Sequence, residues 1–236
     1  FANPPDYEHI NRPEWTDIRK LWQGLDGADY LTIPHFHNMG KLDEGQWWAG
    51  PEHVEPVLEI FSCHGSYERA DVLEQPRPQM KKFRPDRCGA WLLSQGHRYG
   101  LCANSDGHKG HVGTNGVTAV FAEELTSEAI FAAYRARRVY GTSNARLRLV
   151  FTGNGRLMGS AVPNEQTNTL HVEVGAEAPL KKVELFRNAD PHQLWAAGGR
   201  EFRTDLDVPG DEPAFYTVRA TQQDNHVAWS SPIWFV

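Results

Sequence analysis

The run Ser105-Asp-Gly-His-Lys-Gly-His111 is the densest group of chemically capable side chains in the chain. Asp106 and His108 place a hard oxygen and an imidazole on one short turn, and the interleaved glycines let the backbone bend until both face one ion. Zinc, manganese and iron accept such mixed oxygen and nitrogen ligation. A polar surface loop rich in turn formers is the competing reading. The second group is Pro34-His35-Phe36-His37. Side chains two apart on extended backbone share a face, so His35 and His37 are placed to meet a common partner. One ligand beside one surface histidine is the simpler arrangement. The third group holds Ser62, His64, Ser66 and Glu68, with His64 the better ligand or acid–base group. Glu59 lies inside a strand-like run and reads as structural. Cys63 adjoins His64, but the three cysteines, Cys63, Cys88 and Cys102, are most simply thiols of the core or surface.

These groups need elements to position them. Of the 11 histidines, seven (His35, His37, His53, His64, His97, His108 and His111) fall between positions 35 and 111. Short apolar runs at Tyr30–Ile33, Val57–Phe61 and Tyr99–Ala103 read as strands. Each is followed by one of the three groups. Functional side chains gather at the carboxyl ends of strands in strand–helix architectures, so the repeated placement favours a metal site with several ligands. Helices are expected from Glu14 to Leu25, from Ala90 to Gln95, and from a Thr126 cap through Arg137 and Arg138, with Gly141 as terminator. Val117–Phe121 is a fourth strand. The alternation points to a parallel sheet or barrel.

The pattern changes near residue 145. Arg146–Phe151, Thr169–Val174, Lys182–Phe186, Phe202–Leu206, Ala214–Ala220 and Ile233–Val236 read as strands separated by turn residues. Such spacing predicts an antiparallel sandwich of about seven strands. Trp195, Trp229 and Trp234 are expected to pack between its sheets, while Trp47-Trp48 could wall the pocket.

Charge and composition narrow the function classes. Lys and Arg number 24 against 30 Asp and Glu, a net charge of −6 over 236 residues. That argues against nucleic acid or an anionic membrane as the main partner, since both call for basic excess. No apolar run reaches the ~18 residues of a membrane span. Three cysteines make neither a disulfide framework nor a zinc finger. The chain opens on Phe1, so the expectation is a processed, trimmed or partial chain whose compartment cannot be read.

Three runs taken together, Thr32-Ile-Pro-His-Phe-His37, Glu59-Ile-Phe-Ser-Cys-His-Gly-Ser-Tyr-Glu68 and Tyr99-Gly-Leu-Cys-Ala-Asn-Ser-Asp-Gly-His108, resemble the later motifs of PHP-domain proteins, the polymerase and histidinol phosphatase superfamily. They are most similar to its DUF3604 branch. Arg137–Thr142, Gly153–Gly159 and Ala228–Trp234 extend the resemblance over nearly the whole chain. It implies the C-terminal part of a distorted (β/α)7 barrel over residues 1–145, then a β-sandwich over 146–236. It also implies up to three divalent ions (zinc, manganese or iron) and hydrolysis of phosphate esters. His35, Asp106 and His108 match family metal ligands, while His64 and Glu68 match positions characteristic of the branch. Phe36 stands where the branch usually has a histidine, and His37 is placed to substitute. The family's opening His-x-His strand has no counterpart upstream of Tyr30. The remaining ligands are therefore expected from an N-terminal half of the same barrel, on the same parent chain or a second one.

In this reading the chain is part of a metal-dependent phosphoesterase. His64 is the catalytic candidate, and Arg98 and Lys109 are the substrate-phosphate candidates. Two alternatives stay open: a binding module with a degenerate metal-binding part, and a metal hydrolase acting on other bonds.

Overall fold

The computed structural model describes residues 18–25, 30–35, 50–69, 84–108 and 110–236. Helix α1 (Ile18–Leu25) is the described part of the first expected helix. The Tyr30–Ile33 run, expected as a strand, forms none; residues 30–35 lie beside β1 (Val57–Ser62). Thr32 N–H donates to the Val54 carbonyl at 2.7 Å, and Glu59 N–H to that of Pro34 at 3.4 Å. Strand β1 is buried along its whole length, as a continuous apolar run predicts for a strand covered on both faces. It pairs antiparallel with β2 (Gly65–Ser66) and parallel with β3 (Gly100–Ala103). Helix α2 (Gly89–Ser94) makes the crossover that a parallel pair requires.

The next strand–helix–strand run departs from that pattern. Strand β4 (Val117–Val120), helix α3 (Ser127–Arg135) and β5 (Val139–Thr142) follow in order, yet β4 and β5 pair antiparallel, Val117 opposite Thr142. Thr126 caps α3 as expected, its Oγ1 accepting the Ala129 N–H at 3.2 Å. The helix stops earlier than expected. Ala136 is its C-cap and Arg137 takes a left-handed φ of 58°, so the chain reverses at once. Gly141 is not the terminator but sits inside β5.

The C-terminal part of a distorted (β/α)7 barrel, expected over residues 1–145, is thereby overturned. The described residues form fifteen strands and three α-helices, and their sheets close into no barrel. The alternation that predicted a barrel is local, and β4–β5 shows that order along the chain does not fix strand direction.

Ten further strands complete the fold: β6 (Arg148–Gly153), β7 (Arg156–Leu157), β8 (Ala161–Val162), β9 (Thr167–Gly175), β10 (Leu180–Arg187), β11 (Asp190–Ala196), β12 (Glu201–Pro209), β13 (Ala214–Gln222), β14 (Val227–Ser230) and β15 (Ile233–Phe235). One sheet is ordered β12-β9-β6-β7. A larger one runs β11-β10-β13-β14-β5-β4, with β15 joining β13 to β8. The larger sheet draws β4 and β5 from before residue 145 and its other strands from after it.

The large sheet is the middle layer. Its Val183, Leu185, Tyr216, Val218, Ile233 and Phe235 pack with Leu149, Phe151, Leu170 and Val172 of the smaller sheet, giving a β-sandwich core. Its other face carries Phe215, Val227, Trp229 and Trp234 against Leu58, Ile60, Leu92 and Leu101. Strand β13 is buried at every residue but Thr217 because it is covered on both faces.

Candidate metal centre

Strands β1 and β3 are parallel, so their carboxyl ends lie side by side. The turn leaving β1 carries Cys63 and His64, the segment leaving β3 carries Asp106 and His108, and the 30–35 stretch brings His35 alongside. Asp106 is where they meet. Its Oδ2 lies 2.7 Å from His64 Nε2, 3.3 Å from Cys63 Sγ and 3.5 Å from His35 Nε2. Its Oδ1 lies 3.9 Å from His108 Nδ1.

The loop that presents Asp106 is braced by hydrogen bonds within itself and to the end of β1. Asn104 N–H donates to the Phe61 carbonyl at 3.0 Å and Gly116 N–H to that of Asn104 at 3.2 Å. Ser105 Oγ accepts the Gly113 N–H at 2.6 Å, and Asn115 Nδ2 donates to the Ser105 carbonyl at 2.9 Å. Gly116 is needed for this return: a Cβ there would fall 2.6 Å from the Asn104 oxygen. Asp106 has a φ of 44°, a left-handed conformation that aspartate tolerates better than most residues.

A second row of contacts stands behind His35. Its Nδ1 is 2.6 Å from Glu59 Oε1, and Asn104 Nδ2 donates to Glu59 Oε2 at 2.7 Å. Burial alone would lower the His35 pKa, but the Glu59 bond and charge, with the charge of Asp106, raise it above the ordinary imidazole value. The Tyr67 phenol is also raised, first by burial and then by the charges of Glu59 and Asp106. The cluster therefore carries a negative field, which suits a cation.

The donors fit a divalent ion. Cys63, Asp106 and His108 each offer one ligand atom, all within 4.8 Å of one another. Ligand bonds of about 2.0–2.3 Å set neighbouring donors roughly 3–4 Å apart, the range in which His35 Nε2 and Cys63 Sγ stand from Asp106. The His108 side chain is 73 % exposed and that of Asp106 20 %, so the centre opens to solvent on the His108 side.

The other expected residues fall elsewhere. Glu68 is buried, its Oε2 accepting from Arg219 Nη1 at 2.9 Å and from Trp229 Nε1 at 2.7 Å. It lines an interior cavity with Phe186 and Leu93 that no residue of the cluster touches. Arg98 precedes β3 while Asp106 follows it, which puts them at opposite ends of one strand; its carbonyl accepts from Arg137 Nε at 2.6 Å. His37, Lys109, Trp47 and Trp48 lie outside the described residues. The roles of Cys63, Glu59 and Asn104 were not evident from spacing. Asn104, two residues before Asp106 and just past the end of β3, is the one a strand-end argument could have reached.

Residues 90–178 match the model of a family described as a protein of unknown function, DUF3604. An uncharacterized protein of Chlamydia pneumoniae is 29 % identical over 262 residues, covering 97 % of this chain and 41 % of its own length. An uncharacterized protein of Chlamydia trachomatis serovar D is 24 % identical over 249 residues, covering 92 % and 40 %. The chain thus spans about 40 % of the length of the curated relatives it matches. Among solved structures, the CARDB domain of a Pyrococcus furiosus protein in complex with di-metal ions matches 38 % of this chain and 88 % of its own, at 14 % identity and a TM-score of 0.24.

Proposed function

We propose that the chain carries a divalent-metal centre serving hydrolysis, with phosphate esters as the substrate class, in keeping with its resemblance to PHP-domain proteins. The observation that carries this reading is the convergence of His35, His64, Cys63 and His108 on the single carboxylate of Asp106. A divalent ion held there would supply Lewis acidity, lowering the pKa of bound water towards neutral. Asp106 and His108 would be its primary ligands. His35 presents Nε2 because Glu59 occupies Nδ1. His64 holds its Nε2 proton against Asp106 Oδ2 and is placed to pass a proton to a leaving oxygen. The set of up to three ions implied by the resemblance needs ligands beyond this cluster.

A second reading, hydrolysis of an uncharged ester or amide, is favoured by one observation. Arg98, the arginine expected to meet a substrate phosphate, stands at the far end of β3 from Asp106. Elemental analysis of the purified chain, followed by assays on phosphomonoesters, phosphodiesters, carboxylic esters and amides, separates the two. Asp106→Ala and His35→Ala are expected to lose bound metal and at least about 100-fold in activity. Unchanged metal content and activity in both variants would falsify the hydrolase reading.

A further inference from the structure

The first strand pair places a thiol where the rest of the cluster offers only imidazole and carboxylate. Cys63 and His64 are the two residues between β1 and β2, with Ser62 opposite Gly65 across the turn. Gly65 has a φ of 113°, and His64 N–H donates to Ser62 Oγ at 3.2 Å, which tightens the turn. Both turn side chains reach the same oxygen: His64 Nε2 is 2.7 Å and Cys63 Sγ 3.3 Å from Asp106 Oδ2. Cys63 is half-buried, whereas Cys88 and Cys102 are buried.

We propose that Cys63 is a metal ligand through its thiolate, and that the centre therefore takes a thiophilic ion, zinc or ferrous iron, in preference to magnesium or manganese. The inference deepens the metal-centre reading and rests on it. Three facts carry it. Sulfur lies at co-ligand distance from Asp106. Cys63, Asp106 and His108 can each place one donor atom within 4.8 Å of the others. The hairpin turn fixes the thiol beside an imidazole that shares its carboxylate partner. Thiolate is a soft donor that favours zinc and iron over the harder ions, which prefer all-oxygen shells. Coordination also deprotonates the thiol, so binding releases a proton.

Cobalt(II) titration of the metal-free 236-residue chain tests this. Ligand-field bands in the visible report that the ion is bound at all. A near-ultraviolet sulfur-to-cobalt charge-transfer band reports that the thiolate is a ligand. Both are expected in the wild type. In Cys63→Ser the charge-transfer band should be lost while the ligand-field bands persist, and the preference for zinc over manganese in competition should narrow. Ligand-field bands without charge transfer in the wild type, or a charge-transfer band surviving in Cys63→Ser, overturn the role of Cys63 and leave the metal centre standing. Absence of both bands overturns the metal centre itself. The wild-type spectrum decides the first question without any variant, so the folding of Cys63→Ser does not limit the test.

Discussion

Glu59 sets what His35 can offer. A carboxylate only accepts hydrogen bonds, so the 2.6 Å contact places an imidazole proton on Nδ1, and Nε2, which faces Asp106 at 3.5 Å, is the nitrogen that would give up its proton to a bound ion. Asn104 holds the other Glu59 oxygen and fixes the carboxylate plane. Partners of this kind orient a ligand and raise its basicity, and their loss typically weakens metal binding 10–100-fold, roughly. Glu59→Gln preserves shape and removes the charge, so it should reduce metal affinity by about that factor. Competition against a chromogenic chelator measures this, with circular dichroism as the check on folding; an unchanged affinity would remove Glu59 from the centre. His64 and Asp106 were legible from strand ends and residue type. The role of Glu59 was not, because its partner lies 24 residues away along a different segment.

At the scale of elements, the outer edge of β3 is met by hydroxyl side chains. Leu101 N–H donates to Ser231 Oγ at 2.9 Å, and that hydroxyl donates to the Val139 carbonyl. Thr118 Oγ1 accepts from Ala103 N–H at 3.2 Å and donates to the Ala103 carbonyl at 2.7 Å. Serine and threonine thus bridge two sheets that cannot share a continuous ladder. The bridge is tight because β5 crosses close to β3: a Cβ on Gly141 would fall 2.9 Å from that of Ala103. Ser231→Ala leaves the Leu101 N–H and the Val139 carbonyl buried without this partner, which should cost about 1–3 kcal/mol in urea unfolding. A loss below about 0.5 kcal/mol would show that the hydroxyl is replaceable. The strand at β3 and the glycine at 141 were both visible in the sequence. That the glycine serves a crossing rather than a helix end depends on a neighbour distant in the chain.

Across the whole molecule, one buried cation ties the layers together. Arg219 on β13 bonds Glu184 on β10 through Nε at 2.8 Å and Glu68, just past β2, through Nη1 at 2.9 Å. Trp229 on β14 also donates to Glu68. Burial alone would lower the Arg219 pKa, but the two carboxylates raise it. Burial would raise that of Glu184, and the arginine brings it below the ordinary carboxylate value. Removing the shared partner leaves Glu68 to the neutral Trp229 donor and Glu184 to Lys182 Nζ at 3.2 Å, although the two carboxylate side chains are 10 % and 16 % exposed. Arg219→Met should therefore destabilise by about 3–5 kcal/mol. Adding Glu68→Gln and Glu184→Gln to that variant should recover part of the loss, since poorly compensated charge is its cause. A stability unchanged by Arg219→Met would mean that apolar packing alone holds the layers. Glu68, matched to a metal-site position by its motif, is thus committed to this junction.

The sequence by itself determined the local facts. Period-two alternation after residue 145 set the strands, Thr126 capped its helix, and the strand-end histidines and aspartate marked the cluster. These depend on neighbours a few residues apart, where side-chain periodicity and turn chemistry act. Tertiary structure alone decided strand direction, layer order and the partners of Glu59, Cys63 and Glu68. Those turn on contacts across 24, 43 and 151 positions. At such separations a carboxylate that could bind a metal and one that could bind an arginine look alike until packing brings one cation, and not the other, within reach.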